Sequence, residues 1–63
     1  MMEYDESKLY KIVYNDNNVI KSPRGTILNT DNNYVYMRFK DGATIAINHK
    51  DITTISEVRD NDK

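Results

Sequence analysis

The chain has 63 residues, of which 38% are hydrophobic and 30% charged, and its formal net charge is -1. A chain this short has room for one domain and buries only about 60% of the surface that its unfolded form exposes. It contains no cysteine and one histidine, which excludes a disulfide framework and a structural zinc cluster. We therefore expect its stability to come from a compact sheet core, from oligomerisation, or from both.

The charges are unevenly distributed along the chain. Residues 8–56 hold seven basic and four acidic side chains, a net charge of +3, whereas residues 1–7 carry three acidic side chains and no basic one. The tail after Ser56 is also acidic on balance. A mildly basic central part is compatible with weak polyanion binding through phosphate contacts, although it falls short of a strongly basic patch.

The two ends of the chain are polar and lack hydrophobic periodicity. We predict a frayed or disordered N-terminus over residues 1–7, a β-barrel domain over residues 8–58 and a disordered C-terminus over residues 59–63. No apolar run approaches the ~18 residues of a membrane span. The first six residues are acidic, where a signal peptide would be basic and then apolar. The sequence thus favours a soluble, cytoplasmic protein without membrane contact.

The first half of the chain predicts two strands. Residues 9–14 alternate between two fairly apolar faces, which suits a strand in a barrel wall. The run Asn-Asp-Asn-Asn at residues 15–18 predicts a turn, because short amide and carboxylate side chains bond their own backbone and tolerate left-handed conformations. A second strand is predicted over residues 19–29, interrupted at residues 22–25, where proline cannot donate to a ladder and glycine permits a bulge. A second turn follows at residues 30–33.

Residues 34–40 predict the clearest strand, because hydrophobic side chains alternate there with tyrosines and basic residues. The hydrophobic set faces the core and consists of Val35, Met37 and Phe39. The opposite set consists of Tyr34, Tyr36, Arg38 and Lys40. Asp41-Gly42 predicts a hairpin with a two-residue primed turn, in which both central residues have positive φ. The core face continues with Ala43, Ile45 and Ile47.

The last elements are a helical turn and a strand. The polar residues 48–51 predict one helical turn, and residues 52–58, rich in β-branched side chains, predict the final strand. No segment has a helical stripe of ten or more residues. We predict an all-β fold, a small five-stranded SH3-like barrel in meander order with a short helical turn before the last strand. Closure into a barrel would remove the edge strands that so small a sheet cannot otherwise cover.

Three features within residues 19–56 form a recognisable series: Arg24-Gly25, the turn Asp31-Asn32 and the closing run Ile52-Thr53-Thr54-Ile55. With these features the segment resembles the Sm-like RNA-binding family, the bacterial Hfq type in particular. The resemblance implies an Sm-like barrel whose protomers form a ring and bind single-stranded RNA. We do not expect the N-terminal helix of that family, because the eight residues before Leu9 are too polar to supply it.

The resemblance also implies positions for the RNA contacts. The family stacks bases on an aromatic residue that follows the Asp-Asn turn. Here Asn33 occupies that position and Tyr34 comes one residue later. The family has Tyr, Lys and His where this sequence has Asn48, His49 and Lys50, so the basic character is kept but the order is not.

The candidate binding residues form two groups, and neither is expected to hold a metal or a cofactor. The first group places aromatic and basic side chains on one strand face, where they can stack bases and pair with phosphates. The alternative is that these tyrosines pack on the sheet and the basic residues solvate it. This first group consists of Tyr34, Tyr36, Arg38 and Lys40. The second group is a basic turn with His49 and Lys50.

Enzyme activity is not expected. No glycine-rich phosphate loop or paired-carboxylate motif is present, and the Asp-Asn clusters lack the spacing of a calcium loop. The sequence instead predicts a non-enzymatic nucleic-acid-binding protein, RNA-binding in the first place, that forms homo-oligomers through its strand edges. The alternative is a protein-interaction module that uses the tyrosine-bearing strand or a sheet edge. The many asparagines, lysines and isoleucines are typical of AT-rich bacterial or phage genomes.

Overall fold

The computed structural model describes residues 4–58, which form a curled antiparallel half-barrel. Its strands are β1 (Leu9–Asp16), β2 (Val19–Lys21), β3 (Arg24–Thr30), β4 (Tyr34–Arg38), β5 (Thr44–Asn48) and β6 (Ile52–Val58). A 3-10 turn, His49–Asp51, lies between β5 and β6 and is called the helical turn below. The predictions of an all-β fold and of a helical turn before the last strand are confirmed. Within residues 4–58 no helix is long and apolar enough to cross a membrane.

β1 is the strand on which the sheet is built. One edge of β1 pairs with β6 along most of its length, and the other edge pairs with β2 and with the start of β3. β3 then pairs with β4, and β4 with β5. Among the described residues β5 and β6 form no ladder with each other. The half-barrel is therefore open between these two strands.

β2 and β3 pair with β1 in a single register. Lys21 lies opposite Tyr14 and Arg24 lies opposite Lys11. Between these pairs the Ile12 N–H donates a hydrogen bond to the Pro23 carbonyl, with a donor–acceptor distance of 3.1 Å. Pro23 has no N–H to donate to the ladder, but its carbonyl accepts this bond and keeps the register. The strand is therefore interrupted only at residues 22–23. The interruption predicted over residues 22–25 is wrong in its second half, which belongs to β3.

Gly25 lies where β3 leaves β1 and begins to pair with β4. It is buried, and its partner on β1 is Tyr10. A Cβ at this position would overlap the main-chain oxygen of Arg38 and lie 3.2 Å from the Met37 side chain. The absence of a side chain thus lets β3 and β4 approach closely at the bend of the sheet.

Alternate residues of the strands form one small core. Its buried members are Tyr10, Ile12, Ile27, Val35, Met37 and Ile47. The predicted inward face of β4 is confirmed for Val35 and Met37, which have no exposed surface. Phe39 is half-buried and Ala43 is exposed, because β4 ends at Arg38 and β5 begins at Thr44.

The turn predicted over residues 15–18 is confirmed at Asn17 and Asn18, whose φ angles of 53° and 69° are both positive, as in a primed turn. The hairpin between β4 and β5 differs from the sequence prediction. Between β4 and β5 only Gly42 has a positive φ, 91°. There Phe39 N–H donates to Ala43 O (2.8 Å) and Gly42 N–H donates to Phe39 O (3.0 Å). This pattern makes residues 40–42 a three-residue loop with glycine at its left-handed position, so the predicted two-residue turn at Asp41-Gly42 is wrong.

The chain before β1 forms a hydrogen-bonded turn. The Ser7 N–H and hydroxyl both donate to Asp5 Oδ1, at 2.9 Å and 2.6 Å. Tyr4 packs edge to face on Tyr10, with ring centroids 5.3 Å apart, and so joins the edge of the core. Residues 1–3 and 59–63, which belong to the predicted disordered ends, lie outside the described residues.

Candidate nucleic-acid interface

Asp31 holds together the turn at residues 31–33, called the Asp31 turn below, which connects β3 to β4. Its Oδ1 accepts hydrogen bonds from the N–H groups of Asn33 (2.8 Å) and Tyr34 (2.7 Å). Its Oδ2 accepts a hydrogen bond of 2.9 Å from the Tyr36 hydroxyl. Both carboxylate oxygens thus have partners, and one of them fixes the position of an aromatic ring.

These hydrogen bonds favour the ionised form of Asp31. The N–H groups of Asn33 and Tyr34 and then the Tyr36 hydroxyl lower the pKa of the carboxyl from 3.8, and the nearby His49 charge acts in the same direction. The effect on the other partner is opposite. Donation to Asp31 raises the pKa of Tyr36 from 10.0, because an ionised phenol has no proton to donate. The pair is therefore held as a carboxylate and a neutral phenol at neutral pH.

The helical turn lies against the Asp31 turn. The His49 N–H donates to the Asn33 carbonyl (2.9 Å), and the His49 Nε2 lies 3.0 Å from the Asp31 carbonyl oxygen. The turn begins at Asn48, whose side-chain oxygen accepts from the Lys50 N–H (2.9 Å) as a helix N-cap does. Since Asn48 lies opposite Tyr34 in the β4–β5 ladder, the two turns leave the sheet at the same end.

Two tyrosines extend this site onto the outer face of β4. Tyr34 and Tyr36 have ring centroids 6.3 Å apart and planes tilted by 41°. Tyr34 is 39% exposed, whereas Val35 between them has no exposed surface. The residue opposite Tyr36 on β5 is Ala46, which is small and exposed. The face is thus aromatic at the end of the sheet where the two turns meet.

The predicted site residues divide into two groups in the structure. Tyr34, Tyr36 and His49 are brought together through Asp31, and Lys50 is the next residue of the helical turn. Arg38 lies at the other end of β4, about 13 Å from Tyr34 along the strand, where it pairs with Thr26 and Thr44.

Lys40 does not share the strand face to which the sequence analysis assigned it. It lies in the loop at residues 40–42, because β4 ends two residues earlier at Arg38. The alternation that predicted its direction holds only within a strand.

Sequence reasoning missed the role of Asp31. The sequence predicts a turn at this residue, and its Asx-type hydrogen bonds agree with that prediction. Its contacts with Tyr36 and with the helical turn have no signal in the sequence. The one clue is a carboxylate three residues before a strand that begins with a tyrosine.

The surface of this site offers several kinds of contact. Tyr34 exposes a ring on which an unpaired base can stack. The exposed side chains of Asn32, Asn33 and Lys50 carry amide and ammonium groups that suit base edges and phosphates. Within residues 4–58 no group of three or more His, Cys, Asp or Glu side chains could hold a metal ion.

Fold and site together define a small all-β half-barrel protein with an aromatic surface at the end of the sheet where two turns meet, one of which carries His49 and Lys50. No family model, curated protein or solved structure matches the chain. The case for a function therefore rests on the site.

Proposed function

We propose that this protein is a small, non-enzymatic protein of SH3-like or Sm-like architecture that binds single-stranded nucleic acid, RNA in the first place. The observation that carries the proposal is the exposed ring of Tyr34 on the strand that begins at the Asp31 turn, to which the helical turn with His49 and Lys50 is hydrogen-bonded. An exposed aromatic ring and basic side chains at one end of a sheet are the combination that single-strand-binding surfaces use.

Three features of the sheet support the architecture. β2 and β3 share one register against β1 and so count as a single bent strand, which leaves five strands. The bend is made possible by Gly25. The helical turn between β5 and β6 lets the last strand return to the first. A barrel of the predicted type would need each of these features.

The contacts of the proposed ligand follow from the positions of the side chains. A base stacks on Tyr34, and the ammonium group of Lys50 pairs with an adjacent phosphate. A strand that continues along β4 would reach Arg38, whose side chain is exposed. Arg38 and Lys50 together account for part of the +3 charge of residues 8–56.

Binding of short single-stranded RNA at low salt, measured by fluorescence anisotropy, tests the proposal. We expect Tyr34→Ala to weaken binding about 5-fold to 150-fold, the equivalent of roughly 1–3 kcal/mol of stacking. Tyr34→Phe keeps the ring and should bind like the wild type. If RNA does not bind even at low salt, or if Tyr34→Ala binds as tightly as Tyr34→Phe, the proposal is wrong.

Lys50→Ala adds a second arm to this experiment. Loss of one phosphate contact should reduce the slope of log K against log salt by about 0.7. Lys21→Ala is the matched control, because Lys21 is on β2 and pairs with Asp16 at 2.7 Å. We expect that control to leave the slope unchanged.

A second candidate function, interaction through a strand edge, is favoured by the outer edge of β5, which pairs with no other strand within residues 4–58. Hydrogen bonds from Phe39 N–H to Ala43 O and from His49 N–H to Asn33 O mark bonded pairs at both ends of the β4–β5 ladder. Since bonded and non-bonded pairs alternate along an antiparallel ladder, the N–H of Ala46 is directed away from β4. This edge is able to pair with a strand of a second copy or of another protein.

Replacement of Ala46 by proline tests the edge. Ala46→Pro removes an outward N–H without loss of a β4 bond, so the fold should be kept and association through this edge lost. Ala46→Val retains the N–H and is the control. The measurements are the solution mass and a pull-down from nuclease-treated host lysate. An unchanged mass and an unchanged set of captured proteins in Ala46→Pro would count against the edge.

A further inference from the structure

The ring of His49 is fixed in one orientation by the Asp31 turn. Its Nε2 lies 3.0 Å from the main-chain oxygen of Asp31. A carbonyl oxygen can only accept a hydrogen bond, so Nε2 carries a proton in both the neutral and the cationic ring. The atom whose protonation changes is therefore Nδ1.

The Nδ1 atom is available to a ligand. His49 is exposed, and within residues 4–58 no hydrogen bond to its Nδ1 is formed. In the neutral ring this atom is an acceptor, which repels a phosphate oxygen. In the cationic ring it is a charged donor, which binds one.

The charged and titratable groups on the helical turn and on the elements next to it come from four elements. The Asp31 carboxylate belongs to the Asp31 turn, and its pKa is lowered by the charge of His49. The helical turn itself contributes Lys50 and Asp51, and β4 contributes Tyr34 and Tyr36. β1, which packs against the helical turn, contributes Lys11, Tyr14 and Asp16. None of the described residues forms an ion pair with the His49 ring.

We propose that protonation of His49 Nδ1 adds a phosphate contact to the nucleic-acid site and so makes binding tighter at acidic pH. The inference rests on the proposed function. Because the Nε2–H bond to Asp31 is the same in both charge states, the two turns need not move. The change is confined to the ring atom that faces the ligand, and it depends on the only histidine of the chain.

The test compares RNA binding at about pH 8 and about pH 5.5, the range in which histidine side chains change charge. At the lower pH we expect binding by the wild type to be about 3-fold to 5-fold tighter, as for an exposed ion pair. Its salt slope should also be steeper by about 0.7, one phosphate contact. His49→Gln is the matched control, since glutamine can still donate to the Asp31 carbonyl but cannot be protonated. Its affinity and slope should be independent of pH.

A second probe separates failure of this inference from failure of the proposed function. Inorganic trimetaphosphate, a cyclic phosphate without a base, carries monoanionic diester-type phosphates like those of RNA, and their charge does not change between about pH 5.5 and about pH 8. Tighter binding of trimetaphosphate at pH about 5.5 by the wild type and not by His49→Gln supports the His49 contact even where RNA does not bind. Equal affinity at both pH values, or the same pH dependence in His49→Gln, overturns the inference whether or not RNA binds.

Discussion

Asp31 shows how one side chain can link a turn, a ring and a neighbouring element. Its carboxylate accepts from Asn33, Tyr34 and Tyr36, and its carbonyl accepts from His49. The carboxylate bonds are stronger in the ionised form, whereas the carbonyl bond does not depend on the charge of the carboxyl group. The protonation state of one carboxyl group thus determines part of the stability of the site.

We expect the stability gained from Asp31 to be lost in acid. The pKa of Asp31 is lowered by folding from 3.8, so its contribution is present above that value and is lost as the pH falls through the lower folded pKa. Asp31→Asn should be less stable than the wild type at neutral pH and should lose less stability below about pH 3.8. Urea denaturation at a series of pH values measures both differences.

Tyr36→Phe provides an intermediate case for this experiment. It removes one donor to the carboxylate but keeps the two N–H donors. We expect the acid loss of Tyr36→Phe to lie between those of the wild type and Asp31→Asn. The same acid loss in Asp31→Asn as in the wild type would contradict the assignment.

At the scale of elements, Gly25 determines how β3 passes from β1 to β4. We predict that Gly25→Ala destabilises the protein by about 1–3 kcal/mol, because the added Cβ would overlap the Arg38 carbonyl, which is backbone. Gly42→Ala is the informative comparison. It has nothing within 4 Å of its Cβ position, and only its positive φ of 91° opposes a side chain.

The two glycine variants can be distinguished by structure as well as by stability. Gly25→Ala should shift the amide resonances of both β3 and β4, whereas Gly42→Ala should shift only those of its loop. A Gly25→Ala variant as stable as the wild type, with unchanged β4 resonances, would show that the strands do not need this close approach.

The elements that could be predicted from sequence are those set by local patterns. Alternation with a period of two identified the inward face of Val35 and Met37, because it requires no knowledge of the partner strand. The Asp41-Gly42 turn was misassigned because Asp-Gly suits both two-residue and three-residue loops. Pairing of Phe39 with Ala43 decides between them, and that pairing is a property of the register.

The candidate site was predictable only in its components. Tyrosines on an outward face and a basic turn are visible in the sequence, but the contact that joins them runs from His49 to Asp31, 18 residues away. Such a contact exists because β4 and β5 pair and bring the two turns to one end of the sheet. Lys40 falls outside the strand because strand length cannot be deduced from alternation alone, whereas Arg38 is on β4 but at the end opposite the two turns.

At the scale of the whole molecule, stability depends on the core, in which residues 4–58 contribute six buried side chains. A protein of this length has a free energy of unfolding of roughly 3–9 kcal/mol. Loss of one core side chain should therefore consume much of it. Two isoleucines allow the same substitution to be compared inside and outside the core: Ile12 is 0% exposed and Ile20, on β2, is 64% exposed.

We predict that Ile12→Ala lowers the free energy of unfolding by about 2–5 kcal/mol, since it leaves a cavity between β1 and the facing strands. Ile20→Ala should change it by no more than about 0.5 kcal/mol, because a surface side chain loses few contacts. Thermal and urea unfolding at several protein concentrations measures both.

A melting temperature that rises with concentration would indicate assembly that contributes to stability. If the melting temperature does rise, a large loss of unfolding free energy in Ile20→Ala would place β2 in the interface. A small loss in Ile20→Ala and a large loss in Ile12→Ala would instead show that the core of the single chain is the main source of stability.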